Sequence, residues 1–195
     1  MKIALIGSRW LGSEVFKKLK EAGHDLTVLA PSADDRLAKT AEENGVKPNI
    51  HARRFKIQPD ELPEEVDLIV SAHSHAFIGQ DVCRRARIAA IGYHPSLLPR
   101  WRGIAAVEWT IKAGDPIAGG SVYHLTDEMD AGGVVLQDWC HVYPDDDAAS
   151  LWRRDLGPMG LRLLTEAVAM ATRDGKVPSA EQDDRLATDA PPIKE

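Results

Sequence analysis

Short apolar runs alternate with amphipathic stretches along the first half of the chain. The runs predict buried strands at residues 2–6, 25–29, 66–71 and 88–91, with a weaker strand near 49–53. Apolar positions at helical spacing predict helices over residues 11–22, 31–44 and 80–87. Gly23 and Gly45 are suitable stops for the first two helices. This alternation predicts a parallel sheet with right-handed crossover connections.

The pattern changes in the second half of the chain. After a helix over residues 104–112, two longer strands are predicted at 119–125 and 133–142, joined by an acidic loop. Such strands often form an antiparallel edge on a parallel sheet. A long amphipathic helix is predicted over 148–173, broken or kinked near Gly157 and Pro158. The predicted fold class is therefore α/β, with a mostly parallel sheet, helices on both faces and an antiparallel edge.

The chain beyond about residue 174 is rich in polar residues and proline, which predicts a loosely held segment. We assign residues 1–180 to one catalytic domain and residues 181–195 to an extended tail. The predicted long helix could also pack against a second copy, which leaves a homodimer open.

Composition is ordinary for a soluble globular protein, with 195 residues, 44% hydrophobic and 28% charged. The net charge of −6 does not suit phosphate-backbone recognition, so no nucleic-acid partner is expected. No apolar stretch approaches the roughly 20 residues of a membrane span, and the N-terminus lacks the apolar stretch of a signal peptide. We therefore expect a cytoplasmic protein with no membrane partner. Cys83 and Cys140 are predicted to be free thiols.

Two local motifs have a structural and a functional interpretation. The turn from Gly7 to Gly12 joins a strand to a helix, but Arg9 stands where a dinucleotide fingerprint needs glycine. A tight structural turn is favoured over the cofactor loop that a nucleotide-dependent oxidoreductase would need. His73 and His75 could be two ligands of a metal site, but this spacing alone is a weak signal, and no metal is expected.

Two later segments carry candidate chemistry. Residues 92–103, GYHPSLLPRWRG, follow a buried strand directly, and parallel sheets bind ligands at such strand ends. His94 could transfer protons there near neutral pH, or it could be a loop histidine bonded to backbone. Residues 124–133, HLTDEMDAGG, could form a solvated turn or could place the carboxylate of Asp130 beside His94.

The strings YHPSLLPRWRG and DEMDAGG resemble the signature of the 10-formyltetrahydrofolate-dependent formyltransferases. Members of this superfamily carry a histidine and an aspartate thirty-six positions apart, and here 130 − 94 = 36. The superfamily includes glycinamide ribonucleotide transformylase, methionyl-tRNA formyltransferase and the hydrolase domain of 10-formyltetrahydrofolate dehydrogenase. The resemblance implies a Rossmann-like formyltransferase fold and 10-formyltetrahydrofolate as formyl donor. It also implies that His94 is the acid/base, and that Asp130 holds His94 and orders a water that relays protons.

The same resemblance implies that the pterin lies between residues 72–78 and 125–130, where backbone groups can bind its edge. It suggests that Arg100 or Arg102 lies near the glutamate tail of the folate. The residues that it assigns to folate binding are Ala72, Phe77, Ile78, Tyr93, Leu98, Leu125, Asp127 and Met129.

One position departs from the pattern of the family. Its transferases usually have asparagine two residues before the histidine, where the side-chain amide donates to the oxyanion; Gly92 stands there in this chain. The hydrolase domain of 10-formyltetrahydrofolate dehydrogenase also lacks this asparagine and has tyrosine before the histidine, as Tyr93 stands here. The chain therefore looks closest to that domain. A catalytically silent folate-binding or regulatory module is the alternative.

The resemblance also bears on which small molecule accepts the formyl group. Glycinamide ribonucleotide is disfavoured because its phosphate needs a glycine-rich first turn, where Arg9 and Trp10 stand. Initiator tRNA is disfavoured because its formyltransferases carry a basic loop after the second strand, where Asp34, Asp35 and Arg36 stand here. Water or a small amine remains.

Overall fold

The computed structural model describes residues 1–51 and 56–193 and contains a seven-stranded sheet. In chain order its strands are β1 (Lys2–Gly7), β2 (Asp25–Ala30), β3 (Asn49–Ile50), β4 (Val66–Ala72), β5 (Ala86–His94), β6 (Ile117–His124) and β7 (Val134–His141). They are hydrogen-bonded in the order β3-β2-β1-β4-β5-β6-β7. The first five strands are parallel, while β6 and β7 are antiparallel to their neighbours. This arrangement confirms the predicted fold class.

Helices flank the sheet. They are α1 (Arg9–Glu21), α2 (Arg36–Glu43), α3 (Gln80–Cys83), α4 (Ala106–Ala113), α5 (Ala148–Leu151) and α6 (Gly157–Asp174). Short 3₁₀ turns lie at Pro59–Glu61 and Asp184–Leu186, and a π-helical turn at Trp152–Leu156 joins α5 to α6. That turn falls just before Pro158, whose ring displaces the carbonyl four residues earlier and whose nitrogen has no proton to donate. The predicted break or kink in the long helix is present as this π-helical turn.

The sheet has an apolar core on each face. One core contains side chains of α1, α2 and α6 packed on Leu5, Val28 and Val70. The other lies on the opposite face, where Ile69 and Ala90 meet Ile78 and other apolar side chains. Successive side chains of a strand point to opposite faces of the sheet. Consecutive residues near the carboxyl end of β5 therefore lie on different sides of the sheet.

Several predicted boundaries move for identifiable reasons. The second helix begins at Arg36 rather than near residue 31, because the Asp35 side chain accepts the backbone N–H of Leu37 and caps it. The strand expected to stop before Gly92 continues to His94, because residues 91–94 pair with β6. The weak strand near 49–53 is present at Asn49–Ile50, and its predicted extension into residues 52 and 53 lies outside the described residues.

The segment after α6 has little regular structure, but the expectation that it is loosely held is wrong. Ala180 pairs with Val134, and Asp189 pairs with Arg102 in a second backbone bridge. Ala190 is fully buried. The segment is held because its backbone groups find partners along the core. The proposed domain limit at residue 180 stays a prediction.

Along the described part of the chain, none of the helices has the length and apolar character needed to cross a membrane.

Candidate active site

His94 is the last residue of β5 and its side chain is buried. Its Nε2 lies 2.7 Å from the carbonyl oxygen of Trp101, and its Nδ1 lies 3.5 Å from Oδ2 of Asp130. A carbonyl oxygen can only accept a hydrogen bond, so Nε2 carries a proton in this contact. Nδ1 is therefore the nitrogen that can take up or release a proton, on the side facing Asp130.

Asp130 lies in the loop between β6 and β7, with a left-handed φ of 52°. The Tyr123 hydroxyl donates to its Oδ1 at 2.6 Å, and the backbone N–H of Gly103 donates to its Oδ2 at 2.8 Å. Burial and the adjacent carboxylate raise the pKa of Tyr123 well above its usual range, so the phenol stays protonated and can donate. These two bonds hold the carboxylate beside His94.

Trp101 is anchored on several sides, which fixes the carbonyl that faces His94. Its indole N–H donates to Asp115 at 2.8 Å, and its ring stacks on Trp109 with centroids 5.6 Å apart. Its backbone N–H donates to the hydroxyl of Thr188 at 2.8 Å. The C-terminal segment thus helps to hold the loop that orients the imidazole.

A cavity of about 390 Å³ opens beside His94 and Asp130. Its volume lies within the range of about 300–1,000 Å³ that is common for small-molecule sites. The lining is mostly apolar and includes exposed parts of Phe77, Ile104 and Met129. Exposed apolar side chains around a cavity indicate a surface that a ligand can cover. The site can therefore receive a ligand with an apolar face next to the imidazole.

Five of the residues predicted to bind folate line this cavity, namely Phe77, Ile78, Tyr93, Leu125 and Met129. Three do not line it. Ala72 is fully buried in the core against α1. Leu98 is buried, and its carbonyl accepts from the side chain of Gln137. Asp127 accepts the backbone N–H of Gln80 at 2.9 Å, where α3 begins.

Tyr93 reaches the cavity only in part, because strand alternation directs its side chain to the face opposite that of His94. Its hydroxyl donates to the carbonyl of Leu156 at 2.7 Å. Its ring fills space that only glycine leaves open, since a Cβ at Gly120 or Gly160 would overlap with it. Tyr93 therefore joins α6 to the sheet.

Gly92 faces the same side of the sheet as His94. A Cβ built at this position would lie 2.9 Å from Cδ2 of Leu125 and 3.4 Å from Cβ of Ser71. A larger residue here would require the Leu125 side chain to move. The space that the resemblance assigns to an asparagine is thus bordered by an apolar side chain and a serine.

The first turn has a structural role. A Cβ on Gly7 would overlap with the carbonyl of Ala72, so glycine lets this turn lie against β4. The backbone N–H of Arg9 donates to both carboxylate oxygens of Asp35 at 3.1 Å. Rossmann-type folds often bind phosphate at this helix N-terminus. In this chain an internal carboxylate binds there, which supports the structural interpretation of the turn.

His73 and His75 line the same cavity, with ring centroids 5.1 Å apart. The ring of His73 also contacts that of Trp152 edge-on at 5.3 Å. Burial lowers the pKa of both histidines, in the case of His73 to about 4. Within residues 1–51 and 56–193, no three His, Cys, Asp or Glu side chains are grouped closely enough to hold a metal ion.

Arg100 and Arg102 are held by acceptors of this chain. Arg100 pairs with Asp115 at 2.6 Å, and Arg102 pairs with Asp184 at 2.7 Å and with Gln182. Neither side chain lines the cavity. The suggestion that one of them lies near a glutamate tail has no support in this arrangement.

Sequence reasoning missed several groups that surround His94. Tyr123 carried a usable signal, because a tyrosine in a buried strand needs a partner for its hydroxyl. Ser71 carried another, since it is a polar residue near the carboxyl end of a buried strand. The Trp101 carbonyl and the Gly103 N–H are backbone atoms, so residue type gave no indication of their role.

Comparisons with known proteins identify the family of this chain. The model of a family described as "Formyl transferase" matches residues 1–167. Human cytosolic 10-formyltetrahydrofolate dehydrogenase is 35% identical over 201 residues, covering 96% of this chain and 22% of that protein. The chain thus spans about a fifth of the length of that relative.

Solved structures share the fold. Glycinamide ribonucleotide transformylase 1 from Symbiobacterium toebii matches with a TM-score of 0.79 at 20% identity, over 93% of this chain and 94% of that one. WlaRD, a sugar 3N-formyl transferase solved in the presence of dTDP and 5-N-formyl-THF, matches with a TM-score of 0.81 at 14% identity, over 98% and 69%. With a family match over residues 1–167 and the same architecture, this chain belongs to the formyl transferase family.

Proposed function

We propose that this protein removes or transfers the formyl group of 10-formyltetrahydrofolate, with water or a small amine as acceptor. One observation carries the proposal: His94 has one ring nitrogen fixed on a backbone carbonyl and the other facing Asp130, beside a cavity of about 390 Å³. A positioned imidazole next to a carboxylate is the arrangement that proton transfer at a carbonyl centre requires.

The formyl donor is proposed from family membership and from the cavity. The human relative is named for 10-formyltetrahydrofolate, and WlaRD was solved with 5-N-formyl-THF. Residues 76–78 and several residues of the loop that follows β6 both contribute to the cavity lining, and a flat heterocycle would lie between these two segments. Phe77, Ile78, Leu125 and Met129 would supply its apolar walls, and backbone groups would bind the polar edge.

The proposed reaction begins when water or an amine attacks the formyl carbon. Nδ1 of His94 takes a proton from the nucleophile as the new C–O or C–N bond forms. The tetrahedral intermediate then collapses, the bond between the formyl carbon and N10 breaks, and His94 returns a proton to N10. The products are tetrahydrofolate and either formate or an N-formyl amine. Asp130, held by Tyr123 and Gly103, stabilises the imidazolium between these steps.

A small acceptor without phosphate fits this chain best. The carboxylate of Asp35 already accepts the N–H of Arg9 at the start of α1. A phosphate at this position would either displace the Asp35 carboxylate or be repelled by its negative charge. Trp152 and the neutral ring of His73 also line the cavity and contact each other. Both features favour water or a compact amine over a nucleotide-like acceptor.

The test is to incubate the purified protein with 10-formyltetrahydrofolate, alone and with candidate amines, and to follow tetrahydrofolate release. His94→Ala should lower turnover by about 10²–10⁴-fold, as expected for loss of a general acid/base. His141→Ala, at an exposed histidine on β7, is the matched control and should keep full turnover. Tight folate binding without turnover in the unaltered protein would instead favour the silent binding module.

Other features stay predictions of the sequence. They are a cytoplasmic location, a homodimer formed through the long helix, and the lack of a nucleic-acid or membrane partner. Cell fractionation and the mass of the purified protein in solution would test the first two directly.

A further inference from the structure

Ser71 lies opposite Gly92 in the sheet. The two residues are register partners on the parallel strands β4 and β5. Because side chains alternate along a strand, Gly92 and His94 face the same side of the sheet. The 3.4 Å distance from the Cβ of Ser71 to a Cβ built on Gly92 places the serine on that side too. Its hydroxyl thus lies next to the space that a residue-92 side chain would enter.

The Ser71 hydroxyl has no partner among the described residues. Ser71 is half-buried and lines the cavity together with His94 and Asp130. Among described residues, every buried side-chain oxygen or nitrogen has a hydrogen-bond partner. An unbonded Oγ at Ser71 is therefore not enclosed by protein but open to the cavity. Ser74, another serine of the lining, instead bonds to Ala76 within its own loop.

We propose that the Ser71 hydroxyl donates to the oxyanion of the tetrahedral intermediate and thereby replaces the missing asparagine amide at position 92. This inference rests on the proposed function. A hydroxyl supplies one O–H donor, and the formyl oxygen gains negative charge as the nucleophile adds. This donor lies on β4, whereas the asparagine amide would lie on β5. The two positions are nevertheless neighbours, because Ser71 and Gly92 are register partners. Gly92 has no side chain to cover the serine, and the Leu125 side chain borders the same space.

The decisive variant is Ser71→Ala, assayed for tetrahydrofolate release from 10-formyltetrahydrofolate. Loss of one oxyanion donor should lower kcat by about 10²–10³-fold, while the KM and the Kd for tetrahydrofolate stay unchanged. Ser32→Ala, at an exposed serine before α2, is the matched control. In the double variant Ser71→Ala/Gly92→Asn an amide donor enters from β5, and recovery of kcat would identify the missing hydrogen bond as the cause.

The outcomes separate this inference from the proposed function. An unaltered protein that turns over 10-formyltetrahydrofolate, with Ser71→Ala at the same kcat, overturns the serine donor alone. A Ser71→Ala protein that loses tetrahydrofolate affinity in proportion to kcat also overturns it, because the serine would then support the cavity wall. An unaltered protein that releases no tetrahydrofolate with water or any amine overturns the proposed function and this inference together.

Discussion

At the scale of single residues, His94 faces two hydrogen-bond acceptors, whereas Asp130 faces two hydrogen-bond donors. His94 lies between two acceptors, the Trp101 carbonyl and the Asp130 carboxylate, and a doubly protonated imidazole satisfies both. Asp130 in turn receives two donors, from Tyr123 and Gly103. The arrangement therefore suits the imidazolium that would form when His94 takes a proton from a nucleophile.

His73 gives a pH-dependent prediction at this scale. Burial, together with the nearby His75 and Arg9, lowers its pKa to about 4, against 6.5 as the ordinary value. Between these two pH values the unfolded chain binds a proton at this site and the folded chain does not. The stability linked to His73 is therefore fully present above about pH 6.5 and is lost as the pH falls toward 4.

His73→Asn should reduce this loss, since asparagine does not titrate and tolerates the left-handed φ of 61°. The measurement is the urea midpoint between pH 4 and 7. His141→Asn at an exposed position should follow the unaltered protein. Equal acid sensitivity of His73→Asn and the unaltered protein would contradict the prediction.

Among the elements, α6 is joined to the sheet through a tyrosine and two glycines. Tyr93 projects from β5 so that its ring packs against Gly120 of β6 and Gly160 of α6. A Cβ on Gly160 would lie 2.6 Å from Cε1 of this ring. The ring packs partly buried against the core and its hydroxyl donates to Leu156, so it cannot move aside at low cost. The same strand therefore presents His94 on one face and anchors α6 on the other.

Gly160→Ala tests this contact, because the contact decides whether the free energy of unfolding rises or falls. In an unconstrained helix interior the change would stabilise by about 1 kcal/mol. Overpacking against Tyr93 should instead lower the free energy of unfolding by about 1–3 kcal/mol. Glu166→Ala, at an exposed position on α6, should stay within about 0.5 kcal/mol of the unaltered protein. Denaturant unfolding gives both values, and a Gly160→Ala protein that is more stable would refute the contact.

Across the whole molecule, the C-terminal segment connects the two loops that carry the site. The Gln182 amide donates to the carbonyls of Asp130 and Gly132 at 2.8 and 2.7 Å, while its oxygen accepts from Arg102. The Thr188 hydroxyl accepts the backbone N–H of Trp101, whose carbonyl oxygen faces His94. Residues more than fifty positions after Asp130 thus help to hold it in place.

Gln182→Ala should therefore impair the reaction from outside the cavity. Loss of its bonds lets the loop around Asp130 shift, and a misplacement of about 1 Å can cost up to about 10²-fold in rate. We expect a lower kcat for tetrahydrofolate release with little change in folate affinity. Arg185→Ala, which alters an exposed pair with Asp183 on the same segment, should leave kcat unchanged. Full activity of Gln182→Ala would show that the segment does not position the site.

The sequence by itself determined the periodic elements, the fold class and the pair of segments that carry His94 and Asp130. Hydrophobic periodicity depends on neighbours a few positions away, so most strands and helices could be located. Boundaries shifted where a distant or capping contact intervened, as at His94, whose strand is extended by pairing with β6. The expectation of a loosely held tail was wrong for the same reason, because backbone bridges to Arg102 and Val134 hold this segment.

Only the tertiary structure decided which groups meet around the imidazole. It brings Ser71 opposite Gly92 through strand register, and it aims the Trp101 carbonyl at His94 through a loop fixed by Asp115 and Thr188. It also directed the Tyr93 hydroxyl to Leu156 on the other face of the sheet, so that Tyr93 reaches the cavity only in part. Contacts of this kind join residues far apart along the chain, and no local pattern of residue types specifies them.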